Sequence, residues 1–116
     1  MEVEDFGVVI RVHDLNQCRY FYQRLLGLEE PEINSTFLVR FRIAPRTMLI
    51  LEKCDAPYLE HASAATALTF TVRDLAAAEA LLQDKKYHCE LVETLGGTGK
   101  LLRGQDPEGN IFYIGE

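Results

Sequence analysis

The chain contains no tryptophan. Any stacking on a planar ligand therefore has to come from its phenylalanines and tyrosines. No apolar run approaches the roughly 18 residues of a membrane helix. The opening Met1-Glu2-Val3-Glu4-Asp5 is acidic, where a secretory leader is basic and then apolar. These absences lead to the expectation of a cytoplasmic protein with no membrane partner. Cysteine is scarce: Cys18, Cys54 and Cys89 are odd in number and form no Cys-x-x-Cys pair. That excludes a disulfide framework and predicts three reduced thiols, two of them buried. Clusters of Lys and Arg are also missing, and the net charge is −6, so a phosphate backbone finds no footprint and nucleic acid is excluded as a partner. The acidic surface serves solubility and would also favour a cationic ligand.

The 116 residues, 47% of them apolar and 26% charged, suit one soluble domain with a continuous core. Within it the sequence repeats. Val8-Val9-Ile10-Arg11-Val12-His13-Asp14-Leu15 returns 60 positions later as Leu68-Thr69-Phe70-Thr71-Val72-Arg73-Asp74-Leu75. Each copy is an apolar strand, then Val-x-Asp-Leu, then a helical pattern. Asp14 is placed to cap the first helix, with Gln17 three positions on, and Leu15, Cys18, Tyr22 and Leu25 share one face before Gly27 stops it. Asp74 caps the second helix, whose stripe is Leu75, Ala78 and Leu82, with Lys85 and Lys86 near its end.

After each helix the period changes to two. Phe37, Val39, Phe41 and Ile43 alternate with Leu38, Arg40 and Arg42. Ala44-Pro45-Arg46 turns into a strand over 48–53. A weaker strand over 28–33 is interrupted by Pro31 and reads as an edge. In the second half, strands are expected over 89–94, 100–103 and 111–114, the first opening near His88. Asp106-Pro107-Glu108-Gly109-Asn110 forms the last turn. Gly96-Gly97-Thr98-Gly99-Lys100 lacks phosphate-loop spacing and leads into a strand, so it reads as a hairpin loop. The fold predicted is α+β: two βαβββ modules, about 1–54 and 66–116, joined by a linker over 55–65. Their curved mixed sheets form a cup with the helices outside, and neither half is large enough to bury a core alone.

Three segments resemble the vicinal oxygen chelate superfamily, which includes glyoxalase I, extradiol dioxygenases, methylmalonyl-CoA epimerase and bleomycin resistance proteins. They are Val12-x-Asp14-Leu15 with Tyr20-Phe21-Tyr22 and Leu26-Gly27-Leu28; Val72-Arg73-Asp74-Leu75; and Asp106-Pro107-Glu108-Gly109-Asn110. The resemblance implies the cup fold, a homodimer, and in the family's enzymes a divalent metal held by His, Glu or Gln from the first and last strand of each half. Counting along the motifs puts those ligand positions at Gly7, Glu52, Ala67 and Tyr113. Glycine and alanine carry no donor, tyrosine is an uncommon ligand, and one carboxylate does not hold a catalytic divalent ion. His13, His61 and His88 lie elsewhere, so neither a metal nor another cofactor is expected.

If Gly7 faces the cup, alternation turns Val9 and Arg11 the same way and sends Val8, Ile10 and Val12 to the helix. Ala67, Thr69 and Thr71 follow in the second half. The candidate ligand-binding set is Arg11, Arg40, Arg42, Met48, Ile50, Glu52, Thr69 and Tyr113. Guanidiniums of this kind grip a carboxylate or phosphate, which suits an anionic or zwitterionic small molecule. Alternatively, Arg11 and Glu52 only pair with each other while Arg40 and Arg42 reach solvent. Glu52 is the one candidate general base. Three functions stand open: a metal-free small-molecule-binding protein; a lyase, isomerase or dioxygenase with an atypical metal site; and a protein-interaction or regulatory module.

Overall fold

The computed structural model describes residues 1–54, 66–94 and 99–116. The chain divides into two compact units, Met1–Ala62 and Ser63–Glu116. The expected linker over 55–65 lies outside the described residues. The first unit holds β1 (Phe6–Val12), α1 (Leu15–Tyr20), a π-helical turn (Phe21–Leu25), β2 (Ile33–Asn34), β3 (Leu38–Ala44) and β4 (Thr47–Lys53). The second holds β5 (Leu68–Thr71), α2 (Leu75–Asp84), β6 (Glu90–Glu93), β7 (Lys100–Gln105) and β8 (Ile111–Gly115). The sheet orders are β1-β4-β3-β2 and β5-β8-β7-β6. In each sheet the first strand pairs parallel with the last and the remaining pairs are antiparallel. The fold class is therefore α+β, built from two βαβββ modules of the same topology.

Each strand-to-helix junction is set by an aspartate. The Asp14 carboxylate accepts from the Gln17 backbone N–H at 3.0 Å, and Asp74 accepts from Ala77 at 3.0 Å. Both caps have extended backbone, the geometry in which a short acidic side chain satisfies one free helix N–H. The first helix does not run on as a regular α-helix. From Phe21 it widens, with the Leu26 N–H reaching the Phe21 carbonyl and the Leu28 N–H the Tyr22 carbonyl. Gly27, at φ +76°, ends it. The widened turn brings both rings of Phe21 and Tyr22 into the core, edge to face at 5.2 Å.

The helix side of the first sheet is a packed layer of Val12, Val39, Phe41, Leu49 and Leu51 against Leu15 and Cys18. In the second, Leu82, Leu102, Phe112 and Ile114 are buried, and Phe112 lies against the rings of Phe70 and Tyr87. Burying such a side chain contributes about 1.5–3 kcal/mol. Gly104 is required here, because a Cβ on it would stand 2.4 Å from the Phe112 ring.

Four expectations are corrected. Only Cys18 is buried, while Cys54 and Cys89 are half-exposed. The strand expected over 28–33 is just Ile33–Asn34, on the sheet edge, because Pro31 withholds a ladder N–H. Phe37 does not join the apolar face of β3. The Ser35 hydroxyl accepts from the Phe37 and Leu38 N–H groups, so the strand starts at Leu38 and Phe37 is 71% exposed. His88 and Cys89 precede β6 rather than opening it, after a turn in which Lys86 has φ 59°.

Candidate functional site

The face of each sheet turned away from its helix carries the predicted side chains. Burial alternates along β1 and β5 as expected, with Val8, Ile10 and Val12 more covered than Gly7, Val9 and Arg11, and Leu68 and Phe70 more covered than Thr69 and Thr71. Paired residues share a face, so the registers lay out this open surface in rows. In the first module the rows are Gly7–Met48–Arg42, Val9–Ile50–Arg40–Ile33 and Arg11–Glu52–Leu38. Six of the eight candidates, Arg11, Arg40, Arg42, Met48, Ile50 and Glu52, thus lie on one surface. Thr69 and Tyr113 belong to the second module, where they pair with each other in the row Thr69–Tyr113–Arg103–Glu90.

The two middle rows correspond strand for strand. Val9 answers to Thr69, Ile50 to Tyr113, and Arg40 to Arg103. Arg103 was not singled out from the sequence. The third strands are 63 positions apart whereas the first strands are 60 apart, so the simple repeat does not align the two arginines. The same registers move one expected metal position. Tyr113 pairs two residues beyond Ala67's place in its strand line; the matching residue in β4, opposite Val9, is Ile50. Glu52 stands one row further, opposite Arg11, where the second module has Gly115 opposite Thr71. Matched by register, the four positions are Gly7, Ile50, Ala67 and Tyr113, a set with one phenol and no carboxylate or imidazole. Those residues do not fit the superfamily's divalent metal. Among the described residues no group of three His, Cys, Asp or Glu side chains is placed to hold one.

The charged groups have assigned neighbours. Arg11 Nε lies 3.5 Å from Glu52 Oε2, both side chains well exposed at 65% and 44%. Glu32, just before β2, binds two arginines at once. Its carboxylate accepts from Arg42 Nε, from Arg42 Nη2 at 3.3 Å and from Arg40 Nη2 at 3.1 Å. Arg42 Nη1 donates to the Pro45 carbonyl at 2.8 Å. The hydrogen bond from Arg42 holds the Glu32 carboxyl below the usual carboxylate range, against a smaller opposing effect of burial. Arg40 Nε is buried and meets no acceptor among the described residues. In the second module, Arg103 Nη1 lies 3.8 Å from Glu90. The alternative in which the arginines only reach solvent therefore gives way, for Arg40 and Arg42, to a shared clamp on Glu32. Glu32 is separated from them by 8 and 10 positions, and no pattern in the sequence marks that pairing.

Two hollows lie elsewhere. One of about 420 Å³ sits in the first module beside His13, Asn16, Thr36 and Lys53. One of about 660 Å³ in the second lies beside Leu75, Glu79, Leu91, Lys100 and Glu116. Neither is lined by a candidate residue. The glycine loop expected as a hairpin is described only at its ends, where the Thr94 N–H donates to the Gly99 carbonyl at 2.9 Å; residues 95–98 lie outside the described residues. No helix among the described residues is long and apolar enough to cross a membrane.

No family model and no curated protein matches the sequence. Solved structures do match. A bleomycin-binding protein from Streptomyces verticillus, in complex with copper(II)-bleomycin, superposes with a TM-score of 0.75 at 15% identity, covering 99% of this chain and 97% of that one. A glyoxalase/bleomycin resistance protein from Catenulispora acidiphila gives 0.73 at 19%, covering 97% and 96%. A lactoylglutathione lyase from Agrobacterium tumefaciens gives 0.71 at 20%, covering 94% and 90%. A binding protein and a lyase share this architecture, so the likeness speaks for the fold and not for one activity. With its two βαβββ modules, parallel first-to-last strand pairing in each and near full-length likeness to these proteins, the chain has the vicinal oxygen chelate fold of the glyoxalase/bleomycin resistance/dioxygenase superfamily.

Proposed function

We propose that this protein is a metal-free small-molecule-binding member of that superfamily, a single domain that holds its ligand on the open sheet faces. The observation that carries this reading is the chemistry of the four metal positions. Gly7 and Ala67 offer no donor, Ile50 offers none, and Tyr113 alone does not retain a divalent ion. Glu52, the carboxylate first counted into the set, faces Arg11 instead. The bleomycin-binding neighbour supports a binding role for the same fold. The ligand proposed is anionic or zwitterionic, since three guanidiniums share the first face with two carboxylates. A cytoplasmic, homodimeric protein completes the proposal, and sedimentation velocity tests its oligomeric state.

Metal analysis of purified protein after dialysis is the direct test. The expected result is no stoichiometric divalent metal. Stoichiometric metal that survives dialysis would overturn the reading in favour of an enzyme with an atypical centre, and its loss on Glu52→Ala would assign that centre to Glu52. Native mass spectrometry against metabolites and antibiotics tests the binding role, and a protein that retains none of them at millimolar concentration favours the interaction-module reading instead.

A further inference from the structure

The three arginines of the first open face look equivalent in the sequence, but their surroundings differ. Each of Arg42's three nitrogens is engaged: Nε and Nη2 donate to Glu32 and Nη1 to the Pro45 carbonyl. Arg11 stands at the end of the face, 65% exposed, with Glu52 directly opposite. Arg40 occupies the middle row between Ile50 and Ile33, with Leu38 next to it on the same face of β3. Its guanidinium gives one hydrogen bond, from Nη2 to Glu32, and its buried Nε meets no acceptor. The donors it can offer are Nη1 and the second hydrogen of Nη2, which meet no acceptor among the described residues, in an aliphatic setting where a charge-assisted bond is stronger than in water. Glu32 is held by two donors of Arg42, so it keeps a neutralising partner if Arg40 exchanges its single bond for another carboxylate.

We infer that Arg40 is the anion-gripping residue of this face, and that its ligand is a small organic acid whose acidic group lies on Arg40 and whose apolar body lies over Ile50 and Val9. The inference rests on the open-face binding reading and names the ligand class for it. Arg40 forks onto two oxygens of a carboxylate. Val9, 52% exposed beside Ile50, supplies the apolar surface on which that body rests.

The test uses the full ¹⁵N-labelled chain and four probes: benzoate, benzamide, benzylamine and inorganic phosphate. Benzoate is expected to shift the backbone amides of Val9, Arg40 and Ile50 and to bind at least tenfold more tightly than benzamide or benzylamine. Arg40→Gln is expected to weaken it at least tenfold and Arg40→Lys to weaken it less, while Arg73→Gln, on the exposed strand-to-helix turn of the second module, leaves it unchanged. Should the glutamine variant lose the dispersed spectrum of the folded chain, the lysine variant carries the comparison, and full-strength benzoate binding there overturns the role of the fork. Benzamide or benzylamine binding at the same amides as tightly as benzoate overturns the inference while the face remains a binding site. Inorganic phosphate binding as tightly as benzoate overturns the apolar body. If none of the four shifts these amides, the inference falls, while the open-face reading is decided separately by the native mass spectrometry against metabolites and antibiotics.

Discussion

Asp106 is only 4% exposed, and a carboxylate at that depth is stable because the closing turn is wound around it. It accepts from the Glu108 N–H, the Asn110 N–H and the Asn110 side-chain amide, each at 2.9 Å. Gly109 takes the left-handed backbone, φ +85°, that brings Asn110 back. Asp106→Ala leaves those donors facing a buried gap. The expected loss is about 2–4 kcal/mol of stability, read as a lower urea midpoint with unchanged slope. Glu32 supplies a second prediction. Its carboxyl titrates below its ordinary value of 4.5 because Arg42 bonds the charged form. A depressed carboxyl contributes stability that is present above the ordinary value and lost as the pH falls through the lower one. Wild-type protein is therefore expected to lose stability more steeply than Glu32→Gln below about pH 4.5, while the difference between the two stays constant from pH 5 to 7. Parallel curves across the acid range would remove the clamp from the account.

The strand-to-helix junctions were legible as elements because they rest on local chemistry. A short acidic residue before an apolar stripe caps a helix wherever it stands, so Asp14 and Asp74 could be placed from sequence and recur as caps in both modules. Each aspartate-to-alanine change is expected to cost about 1 kcal/mol. The two losses should add within roughly 0.5 kcal/mol in thermal or urea unfolding, since the caps lie in separate modules. A double variant that departs from the sum by several times that amount would show the two junctions to be coupled. Other elements were not legible, and in each case a neighbour overrode the local pattern. Alternation alone put Phe37 with Val39 and Phe41, but the Ser35 hydroxyl claims its backbone N–H and ends the strand one residue short. Helical spacing ran through Tyr22 to Leu25, but the chain widens into a π turn that buries Phe21 as well.

Across the whole molecule the repeat has one consequence for binding. The open rows of both modules carry an arginine at the same register, Arg40 and Arg103, in a chain whose net charge is −6. Basic side chains on these faces run against the overall charge, which supports the proposal of an acidic ligand over a cationic one. The metal positions give a whole-molecule prediction. A divalent ion at a hundred times its dissociation constant would stabilise a folded chain by about 2.7 kcal/mol. The melting temperature is expected to be the same in EDTA as in excess zinc or nickel. A rise of several degrees with metal would contradict the donor set.

By itself the sequence determined the duplication, the two aspartate caps, the alternation that separates a helix side from an open side, and the missing donors at Gly7 and Ala67. All of these depend on residues within a few positions of one another or on side chains that have no ligand atoms. Only the tertiary structure decided which strand lies beside which and in what register. Register made Ile50, not Glu52, the counterpart of Tyr113, brought Arg103 to the place of Arg40, and set Glu32 between two arginines. Those assignments depend on backbone pairing between strands joined by loops of unequal length. A side-chain period of two fixes the face of a residue but not its row.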